Sequence, residues 1–296
     1  MRARNLLPLA LLVLFVIGCD VRIDKSALNL RYDPLTDTLE GVCINEGIFT
    51  VKDKAIPDAT GTIIACLDGK RSLHFGSRMG HSLDFEGNDF EGEPDLMWAN
   101  CQVSIDLADI YLDGQERLSA VQRFHVSQFS RVLDILNQQL NYNILEDLAD
   151  DQPKEEDDSD GALDQRSIDL MLRSARQGIP WFRLDGNELI GEIPMSKEYW
   201  AKLRRFILVT SLDESKDSSW VTFVQLMAQM SELRWDRDAV HFRLGGLIDG
   251  VVKFSEDADL DQQYNDLVLK SLEDSGYHTN PEIDEQSVRN WLHPQK

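Results

Sequence analysis

Two stretches of this chain alternate apolar and polar residues, turn at Leu-Asp-Gly, alternate again, and then change to helical spacing after a serine. In "VSIDLADIYLDGQERLSAVQRFHVS", residues 103–127, Val103, Ile105, Leu107 and Tyr111 mark one strand, and Leu118, Ala120, Phe124 and Val126 mark its return. Asp113-Gly114 opens the loop between them, as hairpin turns prefer. Directly opposed residues share a face, so these eight are expected to form one apolar side. Ser127 is the expected N-cap of a helix carrying Phe129, Val132, Leu133, Leu136, Leu140 and Ile144.

The second stretch, "IPWFRLDGNELIGEIPMSKEYWAKLRRFI", follows the same plan. Phe182 and Leu184 lead into Asp185-Gly186, and Leu189, Ile193 and Met195 return. Ser196 is the expected cap of a helix with Tyr199, Leu203 and Phe206 along its apolar side, flanked by Trp200 and Ile207. The fold class expected is α+β, with antiparallel β-hairpins followed by packing helices. The shared plan reads as two copies of a hairpin–helix unit, against the plain alternative that hairpin-then-helix is a common order.

Elsewhere the signals are shorter. Asp33-Pro34 marks a turn, and Leu39 to Cys43 and Ile48 to Val51 are β-rich. Trp220 to Leu233 has helical spacing, "LRWDRDAVHFRLGG" reads as a short hairpin, and Leu260, Tyr264, Leu267 and Val268 mark another helix. Asn280-Pro281-Glu282 carries the cap, proline and acid of a helix start. Between the two hairpins, residues 146–161 hold nine acids against one lysine. Like-charge crowding and Pro153 make this stretch a solvated linker or long loop. The expected organisation is a region over 19–150, an acidic linker over 151–161 and a region over 162–296, with strands free to pair across the linker.

Charge narrows the function classes. The chain has 52 acids against 30 bases, a net charge of −22. Nucleic-acid binding requires a basic surface that releases counterions from phosphates, so it is excluded as a reading. Attraction to anionic lipid headgroups is disfavoured for the same reason.

The first nineteen residues carry an address. Arg2 and Arg4 precede a run from Leu6 to Ile17 that is apolar or small except for Pro8. Twelve residues are too few to cross a hydrocarbon core about 30 Å thick, but a basic start, a short apolar run and a small residue make a secretory signal. Val16-Ile17-Gly18-Cys19 resembles the lipobox of bacterial lipoproteins. The resemblance implies a signal peptide over 1–18 that is cut off, diacylglyceryl on the Cys19 thiol, and acylation of the new amino terminus. Asp20 resembles the signal that keeps some enterobacterial lipoproteins in the inner membrane. The opening of the body resembles predicted bacterial lipoproteins of no assigned activity, and brings no function with it. Loss of residues 1–18 removes two arginines and no acid, leaving −24 on a body that then needs its lipid to stay at a membrane.

Candidate chemistry is sparse. Cys43, Cys66 and Cys101 allow one disulfide and one thiol, or three reduced thiols, and the sequence does not choose a pairing. His74, His81 and Asp84 lie close in sequence, and two imidazoles with a carboxylate suit a transition metal or an acid–base pair. Glu156, Asp158 and Asp160, followed by Gly161, approximate the start of a calcium loop. Ser167 stands where the bidentate glutamate should close it. Residues 84–95, "DFEGNDFEGEPD", read as an acidic surface loop. His125 and His241 fall on the polar parity of their strands, and Trp181, Trp200, Trp220 and Trp235 on apolar sides. No phosphate loop, dinucleotide fingerprint or nucleophile elbow occurs, and no cofactor is implied. The expectation is a lipid-anchored, extracytoplasmic, non-catalytic protein that binds a protein or cell-envelope partner. The competing expectation is an envelope hydrolase using His74, His81 and Asp84, with or without a metal.

Overall fold

The α+β expectation holds. The structure, a computed structural model, describes residues 21–50, 53–69, 93–150, 163–209, 233–244, 246–250 and 258–293. These fall into two compact units, one drawn from Val16–Phe129 and Gly245–Lys296, the other from Ser130–Leu244. The boundaries lie at 129/130 and 244/245, and the acidic run 151–161 is internal to the inserted stretch, outside the described residues.

The first unit is built on a five-stranded antiparallel sheet of order β3-β4-β2-β1-β9. Its strands are β1 (Val21–Asp33), β2 (Thr38–Thr50), β3 (Val103–Leu112), β4 (Leu118–Ser127) and β9 (Gly246–Gly250). Pairing of β1 with β9 joins segments from either side of the acidic run. The Asp33-Pro34 turn forms as the sequence predicts. The Asp33 carboxylate accepts from the Leu35 amide and the Thr36 hydroxyl, each at 2.9 Å, and folds the chain back into β2.

The eight apolar positions of the first hairpin do not share one side. The β3–β4 register shifts between Ile105 and Leu107, a bulge centred on Asp106. One extra residue reverses the side-chain parity beyond it. Val103 and Ile105 stay level with Val126 and Phe124, but Leu107 faces Arg123 and Tyr111 faces Ser119. Both faces of the sheet are therefore apolar. One packs Cys43, Ile110, Leu118 and Ala120 against α1 (Ile56–Leu67) and α6 (Ala258–Asp274), through Ile63, Cys66, Val268 and Leu272. The other packs Ile44, Tyr111 and Val121 against Ile283 and Val288, with Leu107, Trp291 and Leu292 alongside, where α7 (Glu285–Leu292) lies. The short α2 (Pro94–Asn100) precedes β3 and buries Leu96 and Ala99.

Two helix starts differ from expectation. Ser127 stays in β4, its amide bonded to the Gln102 carbonyl at 3.0 Å. Gln128, at φ +51°, turns the chain into α3 (Phe129–Asp150). Asn280-Pro281-Glu282 is a turn, closed by the Glu282 amide on the Asn280 side chain at 2.9 Å. Asp284 caps α7 instead, accepting from the Ser287 amide at 2.8 Å.

The second unit carries a four-stranded antiparallel sheet of order β5-β6-β8-β7. Its strands are β5 (Phe182–Asp185), β6 (Glu188–Pro194), β7 (Arg234–Asp236) and β8 (Ala239–Leu244). Both expected hairpins, 182–194 and 234–244, are present. The helix expected over Trp220 to Leu233 lies almost wholly outside the described residues. Arg237 and Asp238, both at positive φ, make the tight turn between β7 and β8. Ser196 caps α5 (Lys197–Val209) as expected, accepting from the Tyr199 amide at 2.9 Å.

Helix α3 is fastened to β5 by asparagines one turn apart. The Asn137 Oδ1 accepts from the Trp181 and Phe182 amides, each at 2.9 Å, and its Nδ2 donates to the Phe182 carbonyl at 2.8 Å. Asn141 accepts from the Trp181 indole at 2.8 Å. At the start of α4 (Gln165–Arg176), Asp164 accepts from the Ser167 amide at 2.7 Å and from the Ser196 hydroxyl at 2.5 Å. One carboxylate thus closes its own helix and orients the hydroxyl that caps α5.

Candidate functional site

Strand register brings together a polar group that lies far apart in sequence. In the first unit Ser104 on β3 and Glu40 on β2 stand on either side of His125 on β4, and Arg31 on β1 follows Glu40. Directly opposed residues share a face, so the four form one cross-strand row. The bulge adds Asp106, whose Oδ1 lies 2.8 Å from His125 Nδ1. The imidazole is 35% exposed and the carboxylate 44%, so this is an open surface pair. An aspartate on Nδ1 fixes the ring orientation and leaves Nε2 toward the other partners the ring can take. Among the described residues no group of three or more His, Cys, Asp or Glu side chains is placed to hold a metal ion.

A cleft of about 630 Å³ lies elsewhere in this unit, between the β3–β4 turn and the chain leading into α7. Asp113, Gly114, Asn280, Asp284, Glu285 and Arg289 are among its lining residues. Its acids are committed to structure. Asp113 accepts from the Gln115 and Arg117 amides and from the Arg117 guanidinium, which also reaches Asp24 at 3.0 Å. Asp284 caps α7, and the hydrogen bonds from Ser287 hold it below the usual carboxylate range. Asn280 donates to Asp109 at 2.6 Å. Glu285 pairs with Arg289 at 3.2 Å on the rim. The nearby Tyr111 is 1% exposed. Burial, and then the charges of Glu46, Asp113 and Glu285, push its phenol far above the ordinary value. A cleft so lined is acidic and suits a cationic or hydrogen-bonding surface.

Most residues singled out from sequence fall outside this picture. Cys19, His74, His81, Asp84, Glu156, Asp158 and Asp160 lie outside the described residues. No disulfide joins Cys43, Cys66 and Cys101. Cys43 and Cys66 are buried in one core cluster, where burial, and then the nearness of Cys66, push the Cys43 thiol up; Cys101 is exposed. Trp181 and Trp200 are core residues at 2% and 8% exposure. Trp235 is half-buried, its indole donating to the Met195 carbonyl at 3.0 Å, with the Lys197 ammonium over its ring. His125 and His241 are partly exposed, as their parity predicts. The pairing of His125 with Asp106 was not legible, because it depends on a one-residue bulge.

No protein-family model matches this chain. No curated protein matches it, and no solved structure does.

Proposed function

We propose that this chain is an extracytoplasmic protein held on a membrane by lipid on Cys19, and that it binds a protein or another envelope component without catalysing a reaction. The observation that carries this reading is the order Arg2, Arg4, the apolar run Leu6–Ile17, then Gly18-Cys19. Small Gly18 lets a peptidase approach the bond before Cys19, and the Cys19 thiolate is the group that takes the diacylglyceryl. A body of −24 gains nothing from anionic headgroups, so attachment falls to the acyl chains. Each buried methylene contributes about 0.8 kcal/mol, and more than one chain makes the attachment stable. No helix among the described residues is long and apolar enough to cross a membrane. The exposed row around His125 is the surface offered for the partner.

Expression in a bacterial host with an alkyne fatty acid tests the anchor. The wild-type chain is expected to take up the label and to sediment with membranes, and Cys19→Ser to do neither. Equal labelling of both chains, or of neither, contradicts the reading.

A further inference from the structure

We infer that the end of the first unit at which β1 begins, marked by the Asp113–Arg117 turn, faces the lipid surface, and that the Asp33–Thr38 turn faces away from the bilayer. The inference rests on lipid at Cys19 and deepens that reading by giving the body an orientation. β1 begins at Val21, only two residues after Cys19. Two residues of chain span at most about 7 Å, whatever path they take. Val21 is paired with Thr50 and Arg22 with Phe49, so the anchored end is already part of the sheet ladder. At most that length of chain lies between the lipid and the sheet.

The neighbouring elements at this end follow from the register. The Arg117 guanidinium bonds Asp24 at 3.0 Å, and the Gly47 amide donates to the Ser119 hydroxyl at 3.1 Å. The β3–β4 turn therefore stands at the same end as Val21. Leu112, which leads into this turn, is 42% exposed. The acids Asp113, Glu116, Asp284 and Glu285 crowd the turn and the cleft beside it, so the lipid surface that fits is zwitterionic and not anionic. Both broad faces of the sheet carry helices, which leaves the strand ends as the part within reach of so short an anchor.

The opposite end is twelve residues further along β1. At about 3.3 Å per residue, the Asp33–Thr38 turn lies roughly 40 Å from Val21. That turn is rigidly held, by the Asp33 bonds already described and by the Tyr32 hydroxyl on Asp37 at 2.9 Å. It presents Leu35 at 94% exposure. The row of Arg31, Glu40, His125 and Ser104 lies toward this far end.

Energy transfer to vesicles tests the orientation. A donor dye is placed through p-azidophenylalanine at Leu35 or at Gln115, and the protein is held on phosphatidylcholine vesicles bearing a trace of headgroup-labelled acceptor. Two samples are compared: the protein purified from membranes, and a chain beginning at Cys19, with Cys101→Ser, coupled through the Cys19 thiol to a maleimide lipid. The buried Cys43 and Cys66 leave Cys19 as the reactive thiol in the coupled sample. The expected result in the coupled sample is transfer several-fold stronger from Gln115 than from Leu35. Equal transfer, or stronger transfer from Leu35, overturns the orientation. Failure of the membrane-purified sample alone to join vesicles, with the gradient intact in the coupled one, faults the lipidation and upholds the geometry.

Discussion

Asn265 on α6 binds both backbone groups of Leu118 on β4, accepting from its amide at 2.9 Å and donating to its carbonyl at 3.3 Å. The same side-chain nitrogen donates to the Ile48 carbonyl of β2 at 2.6 Å. The β2–β4 ladder runs from Thr38↔Ser127 to Asn45↔Ala120 and stops there. Beyond it the strands part around Gly47, and one asparagine, 2% exposed, bridges the gap. Asn265→Leu leaves a buried amide and two carbonyls short of partners, at a cost of about 2–3 kcal/mol. Urea unfolding should show the loss. Hydrogen exchange should show Leu118 among the amides most deprotected, and unchanged protection there would contradict the bridge.

The tryptophan clamp of the second unit gives a second test. Asn141→Leu removes the acceptor of the Trp181 indole while keeping bulk, and should destabilise by about 1–3 kcal/mol. Asn137→Ala frees the Trp181 and Phe182 amides and the Phe182 carbonyl and should cost more than Asn141→Leu. The order of the two urea midpoints is the readout. The reverse order would mean that the indole, and not the strand backbone, fastens α3.

Acid stability should depend on Asp164. Its burial works to raise its pKa, but the hydrogen bonds from Ser167 and Ser196, with Arg166 nearby, outweigh this and hold it below its ordinary 3.8. A carboxylate with a lowered folded value contributes stability above its unfolded pKa and loses it as pH falls through the folded one. The contribution should therefore be present at neutral pH and drain away below about pH 4. Asp164→Asn should lower the melting temperature at pH 7 and narrow its difference from wild type in that acid window. A difference that stays constant to pH 2 would contradict this.

Both sheets contain a glycine directly opposite a phenylalanine, Gly41↔Phe124 and Gly191↔Phe242. In each pair the ring lies across the glycine, and a Cβ would come within 2.1 Å of it at Gly41 and 2.0 Å at Gly191. Phe242 is 1% exposed and has little room to move. Gly191→Ala should therefore destabilise by about 1–3 kcal/mol, as overpacking does. Adding Phe242→Leu should cost less than the sum of the two single changes, because the smaller side chain relieves the clash. Additive losses would mean that the ring does not lie on the glycine.

The local chemistry of turns, and of the cap at Ser196, was readable in the sequence, because such signals sit within a few residues; the caps expected at Ser127 and Asn280 did not form. Asp33-Pro34, Asp113-Gly114 and Asp185-Gly186 all turn, and Ser196 caps its helix. Relations set by register were not readable. The bulge at Asp106 moves Leu107 and Tyr111 to the other face, and alternation could not reveal it because that face is apolar too. The same bulge creates the His125–Asp106 pair. Near the end of the chain Asn280 and Asp284 are both good caps. Asp284 takes the role because the Asn280 side chain closes its own turn and holds Asp109. Asn265 on its helix looked like any polar residue, since its partners lie 147 and 217 positions away.

Acylation of Cys19 is read from the mass of the amino-terminal peptide of the native membrane-bound protein. The expected peptide starts at Cys19 and is heavier than its residues by a diacylglyceryl group and an acyl chain. A peptide still starting at Met1, or one trimmed without fatty chains, would contradict it.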